Sequence, residues 1–212
     1  ANKRGQKKTS WQVQPKMIAV FIILHLLLLA KTQFTLWPEM VVYPYLLNNG
    51  FLLYRDIINP YPPTLTYLLS FLASIFGYTP IGFKLLTWGL IIFIDMLIFK
   101  ISSSLFSKKS SYLSLGFFIL ASIPFGINGL WFELVQTAPI LIGVLFLLKY
   151  IKNNNTGDLF ITYIFFCFAF FIKQQAIWLA PALIAIVVLK NKNSIKDFFK
   201  KVWYFPLVLV SH

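Results

Sequence analysis

Continuous apolar runs close to twenty residues long, separated by short basic segments, constrain this chain more than any other feature. They cover about residues 17–37, 81–100, 111–130, 133–150, 158–173 and 175–190, and another begins near Val202. A helix needs roughly 20 mainly apolar residues to cross the hydrocarbon core of a bilayer. A β-barrel would show apolar residues in alternation, not in blocks. Composition agrees, with 58% hydrophobic and 12% charged residues, where a soluble domain carries about a quarter charged. The expected fold class is all-α, a polytopic transmembrane helix bundle with residues 1–212 as one domain. The chain starts at Ala1 and its last apolar run, 205–210, has no closing flank. It therefore reads as the N-terminal part of a longer bundle, incomplete at the C-terminus.

The net charge of +13 would suggest nucleic acid in a soluble protein. Here the basic residues sit in loops between apolar runs, which points to membrane orientation and not to a nucleic-acid partner. Lys3, Arg4, Lys7, Lys8 and Lys16 precede the first run. Lys100, Lys108 and Lys109, then Lys149 and Lys152, then Lys190, Lys192, Lys196, Lys200 and Lys201 occupy later loops. The stretch 64–77 reads either as a short span or as a helix at the interface. If it spans, the later basic loops fall opposite the N-terminus. If it does not, all of them share the cytoplasmic side with it, as the positive-inside bias prefers. The expectation is a multi-pass plasma-membrane protein with a cytoplasmic N-terminus. Residues 38–80 then form one external loop with juxtamembrane helices. Glu39, Asp56 and Glu133 then share the outer face, and Lys173 lies at an outer turn. Asp95 falls within a span without an assigned role. His25, also mid-span, reads as an interhelical hydrogen bonder, and Cys167 as packing.

In the loop, Pro38 suits a helix start, Asn48–Asn49–Gly50 a helix end, and Pro60, Pro62 and Pro63 a second break. Tyr43, Tyr45, Tyr54, Tyr61 and Tyr67 read in two ways, as an interfacial aromatic belt or as lining of a sugar cleft. Glu39 fits a helix N-terminus, where the dipole favours a carboxylate. Asp56 beside Arg55 fits a local ion pair of little energetic weight.

The order of a span, a "PE" step, a tyrosine four residues on, a glycine, "YRD", a Pro-Pro pair and an apolar helix ending "FG" resembles the first external loop of the GT-C superfamily. These are polyprenyl-phosphate-sugar-dependent glycosyltransferases, including protein O-mannosyltransferases and aminoarabinose transferases. "FIKQQAIWLAP" (171–181) is similar to that group's lysine-containing luminal turn, and "GLWFELVQTAPI" (129–140) stands at its third-to-fourth span loop. The resemblance covers about residues 17–190 and departs at Pro38, where many members carry an Asp.

What the resemblance implies is inverting transfer of a sugar from a polyprenyl-phosphate donor to a hydroxyl of a lipid, glycan or protein acceptor, on the non-cytoplasmic face. Such transfer needs one general base, worth roughly 10²–10⁴-fold, and Glu39 comes first for it, Asp56 second. Either acid has a second reading, as a ligand of a sugar hydroxyl or a divalent cation. Lys173, with Gln174, flanks two short apolar runs, so it should sit recessed and meet the donor phosphate. The plainer reading is a lysine snorkelling to the interface. Tyr43, Tyr54, Arg55, Tyr61 and Glu133 complete the substrate-binding candidates, with Lys31 and Lys84 weaker. No His/Cys cluster suggests zinc, and no glycine motif suggests a nucleotide. The alternative function is a transporter or flippase of lipid-linked sugars, for which internal repeats and broken midplane helices would be expected.

Overall fold

The computed structural model describes residues 15–190. Among them are eight α-helices: α1 (Pro15–Lys31), α2 (Glu39–Asn48), α3 (Thr64–Phe76), α4 (Pro80–Leu105), α5 (Lys108–Ser122), α6 (Phe132–Asn153), α7 (Thr156–Ile172) and α8 (Leu179–Lys190). A 3-10 turn, Gln174–Trp178, joins the last two. Two short strands, β1 (Thr35–Leu36) and β2 (Gly129–Leu130), pair in parallel. The apolar run expected from Val202 onward lies outside the described residues, as do Lys192, Lys196, Lys200 and Lys201.

Helix starts follow local chemistry. Thr79 accepts from the Gly82 amide at 3.1 Å ahead of Pro80 in the first turn of α4. Ser107 and Asn155 cap α5 and α7 in the same way. Among the described residues two helices, α4 and α6, are long and apolar enough to cross a membrane. At 26 and 22 residues they extend about 39 and 33 Å. By contrast α3, at 13 residues, reaches only about 20 Å.

Several expected spans have other bounds, and α4 runs on to Leu105 where 100 was expected. The first stops at Lys31 instead of 37, because Asn128 donates to the Leu29 and Thr32 carbonyls at 2.9 and 3.1 Å and turns the chain toward β1. The third stops at Ser122 instead of 130, since Pro124 interrupts and Gly126 takes φ +61°. The last begins as a 3-10 turn, and α8 proper starts at Leu179.

Contacts fix the helix directions. α1 and α5 run parallel, Phe21 stacking on Tyr112 and His25 meeting Ser122. α4 runs against both, with Phe99 on Tyr112 and Asp95 on His25. Antiparallel α6 and α7 are tied by Gln136 donating to the Ala169 carbonyl at 3.0 Å and by Thr162 donating to that of Gly143 at 3.3 Å. One end of the bundle therefore gathers the C-termini of α1, α5 and α7 with the N-termini of α4 and α6. Lys100, Lys108, Lys109, Lys149, Lys152 and Lys190 lie toward the other. There Lys190 donates to the Tyr150 carbonyl at 2.5 Å and to that of Ile151.

Both short helices pack at the first end. Leu65, Leu69 and Ala73 of α3 share one buried cluster with Met40, Phe83, Leu130, Phe132 and Ile172. α3 therefore packs among the N-terminus of α4, the start of α6 and the end of α7. Asn48 joins α2 to α3: its amide donates to the Ser70 carbonyl at 3.0 Å, and its oxygen accepts from the Ser70 hydroxyl at 2.5 Å.

Candidate active site

The strand pair sets the site. β1 and β2 align Leu36 with Leu130, and both strands continue as the same pattern, "LWPE" (36–39) and "LWFE" (130–133). Register carries through: Trp37 stacks on Trp131 with ring centroids 6.1 Å apart and 25° between planes. Each glutamate then falls in the first turn of a helix, Glu39 in α2 and Glu133 in α6, where the helix dipole favours a carboxylate. Between them lies a cleft of about 260 Å³ lined by Trp37, Glu39, Met40, Tyr61, Trp131, Phe132 and Glu133.

The two acids differ in their partners. Glu133 holds an ion pair with Lys173, whose ammonium also sits 5.4 Å from the centre of the Tyr61 ring. Lys173 is 6% exposed. It reaches that position because α7 ends at Ile172 and the chain turns extended, at φ −150°. Gln136 secures the turn by donating to the Lys173 carbonyl at 2.5 Å. In Glu39, Oε2 is buried with no hydrogen-bond partner. A buried carboxylate oxygen without a donor is costly to keep, and this one borders a cavity.

Asp56 is not among the residues lining the cleft. It takes a bidentate pair from Arg55 at 2.9 Å and accepts from the Leu52 amide at 2.8 Å. The Arg55 hydrogen bonds, then the Leu52 amide, hold its carboxyl below the usual carboxylate range. Tyr43 donates to the Ile58 carbonyl at 3.1 Å, and Tyr54, at φ +68°, donates to that of Tyr61 at 2.7 Å. Burial, and then the neighbouring Tyr67, raises the Tyr54 phenol. Their hydroxyls thus brace the loop that carries Tyr61, and the Tyr61 ring packs on Phe132 at 4.0 Å. Gln174 reaches the Pro60 carbonyl at 3.5 Å. Lys84 lies over the Trp88 ring at 4.8 Å, and Lys31 is exposed at the end of α1.

Of the sequence candidates, Glu39, Tyr61, Glu133 and Lys173 come together, while Tyr43, Tyr54, Arg55 and Asp56 form the supporting turn. Trp37 and Trp131 were missed, although the repeated L-W-x-E was there to be read. Among the described residues no three His, Cys, Asp or Glu side chains cluster as a metal site. The mid-span acid does have a partner: Asp95 pairs with His25 at 2.8 Å.

A family model described as dolichyl-phosphate-mannose-protein mannosyltransferase matches residues 60–211. The chain belongs to this family. No curated protein and no solved structure matches it. The family is one of membrane glycosyltransferases using polyprenyl-phosphate sugar donors, so this member is a membrane protein and a glycosyltransferase. The matched stretch includes Tyr61, Glu133 and Lys173. Trp37 and Glu39 precede it and enter the site through β1 and α2.

Proposed function

We propose that this protein transfers a sugar from a polyprenyl-phosphate donor to an acceptor hydroxyl, with inversion, in the cleft between α2 and α6. Glu39 is the general base. The observation that carries this assignment is the buried, unpartnered Oε2 of Glu39 at the cleft wall, while Asp56 and Glu133 are both held by cations. A sugar phosphate already has a good leaving group, so the protein must remove the acceptor proton and hold the oxygen in line with the anomeric carbon. Lys173 faces the donor phosphate, and the ion pair with Glu133 holds the ammonium in place until the donor arrives. Tyr61, Trp37 and Trp131 offer aromatic faces to the sugar ring.

The reaction belongs to the non-cytoplasmic face in this reading. Glu39, Asp56 and Glu133 lie at one end of the bundle, and Lys100, Lys108, Lys109, Lys149, Lys152 and Lys190 toward the other, which supports a positive-inside arrangement with α2 and α3 outside. Residues 38–80 then form the external loop.

The test uses the full-length protein in lipid with labelled donor. Glu39→Gln lowers turnover about 10²–10⁴-fold with little change in donor KM, and Asp56→Asn costs far less. Normal turnover in Glu39→Gln removes the base assignment. Vectorial movement of donor without bond cleavage would replace transfer by transport.

A further inference from the structure

Three polar side chains that the proposed reaction does not use meet inside the bundle. His25 of α1, Asp95 of α4 and Ser122 of α5 are all buried. The Nδ1 of His25 lies 2.8 Å from Asp95 Oδ2, and its Nε2 lies 3.0 Å from Ser122 Oγ. Hydrogen-bond accounting fixes the protons. The Ser122 hydroxyl donates to the Ile119 carbonyl at 2.6 Å, so its oxygen accepts from His25 and Nε2 carries its hydrogen. A proton also lies between Nδ1 and Asp95, because a bare ring nitrogen and a bare carboxylate at 2.8 Å would repel. The pair is therefore neutral as a whole, wherever along that bond the proton sits.

Such a pair is costly to bury, and apolar residues of similar volume commonly stabilise as well or better. What a satisfied buried network adds is one unique packing, here one rotation and depth of α5 against α1 and α4. Ser122 is also where the approach to the cleft begins. It is the last residue of α5, and its carbonyl accepts from the Ile127 amide at 3.1 Å. Asn128 follows, held on the Leu29 carbonyl of α1 at 2.9 Å and the Trp88 indole of α4 at 3.0 Å. Then come β2, Trp131 and Glu133. Leu29 stands about one turn from His25, and Trp88 about two turns from Asp95. The segment that leads into the cleft is thus pinned to α1 and α4 at two levels, and β2 cannot shift without breaking one of them.

We infer that His25 is a positioning residue for transfer. Held by Asp95, it sets the end of α5 through Ser122 and so places Trp131 and Glu133 opposite Trp37 and Glu39; this rests on the transfer reading of that cleft. His25 lines no part of the cleft and acts only through the residues it holds.

The experiment uses full-length protein in nanodiscs, labelled donor, and 5-fluorotryptophan at the six tryptophans. Trp131→Phe assigns the Trp131 fluorine signal by its loss. Ser122→Ala removes the Nε2 bond. It lowers kcat by up to about 10²-fold, the size that a small misplacement away from the chemistry can cost. It also shifts the Trp131 signal before any substrate is added. His25→Leu, which breaks both bonds, loses at least as much. Asp95→Asn is the rescue. Its amide donates to Nδ1 of a neutral ring, and its oxygen stands where Asp95 Oδ1 already has no partner. Both kcat and the Trp131 signal then stay close to wild type, whereas Asp95→Leu loses both. A role in stability alone would lower the unfolding temperature of Ser122→Ala and leave kcat and the Trp131 signal unchanged, and that result overturns the inference. So does a loss in Asp95→Asn as large as in Asp95→Leu. If wild type shows no transfer, the transfer reading itself has failed, and the fluorine signals still decide whether His25 places Trp131.

Discussion

Three carboxylates near one end of the bundle meet three different fates, and their partners decide which is free to react. Glu133 and Lys173 neutralise one another beside the Tyr61 ring. If the lysine serves the donor phosphate, Lys173→Met raises donor KM about tenfold or more, since a lost charge-assisted hydrogen bond is worth roughly 1.5–3 kcal/mol. The double variant Lys173→Met/Glu133→Gln tells the two roles apart. Donor affinity regained in the double would mean the lysine only balances Glu133. Asp56 gives a pH prediction. Its folded pKa is depressed, so its contribution is present above the unfolded value of about 3.9 and is lost as pH falls through the folded value. The turn it closes through the Leu52 amide should open on acidification, read as faster hydrogen exchange at Leu52 than the pH change alone gives. Asp56→Asn should remove that transition.

At the scale of elements, side chains reaching across the bundle do more than propensity to fix where helices stop. Asn128 binds the Leu29 and Thr32 carbonyls and accepts from the Trp88 indole at 3.0 Å, joining α1 and α4 to the connector before β2. Asn128→Ala removes the hydrogen bonds to the Thr32 carbonyl and from the Trp88 indole, while Thr32 still donates to the Leu29 carbonyl; the change costs about 1–3 kcal/mol and should lower the unfolding temperature in detergent. It should also lower transfer, because the β1–β2 register that aligns Trp37 with Trp131 depends on the same connector. α6 and α7 press together at Gly143, where an added Cβ would overlap the Phe166 ring. Gly143→Ala should cost roughly 1–3 kcal/mol by overpacking, and pairing it with Phe166→Leu should recover part of that loss.

At the scale of the whole molecule, everything turns on which ends of the helices share a compartment. With Cys167 replaced by Ala, single cysteines at Tyr61 and Lys108 test this in intact cells. Tyr61→Cys should react with an impermeant reagent, and Lys108→Cys only after permeabilisation. The opposite pattern would put the cleft on the cytoplasmic side. The expectation follows from α3 packing among the helix ends and from Lys100, Lys108, Lys109, Lys149, Lys152 and Lys190 at the far end of the bundle. It requires no property of α3 beyond its length, about 20 Å against a core of about 30 Å.

The sequence by itself determined the all-α class, the succession of apolar helices though not all their bounds, the breaks at Pro38, Asn48–Gly50 and Pro60–Pro63, and a short helix near 64–76. Each of these is written in apolar periodicity, length and turn chemistry within a local stretch. It also marked Glu39, Glu133 and Lys173 individually, because charged residues beside apolar runs are conspicuous. Only the tertiary structure decided which of them meet. The cleft joins residues some hundred positions apart in the chain, through a strand pair of two residues each that no local pattern announces. Asp56 is left outside the cleft lining because a turn of its own satisfies it. The partnership of His25, Asp95 and Ser122 was likewise invisible until three helices packed, since a hydrogen bond between helices depends on their relative rotation and depth, which local sequence does not encode.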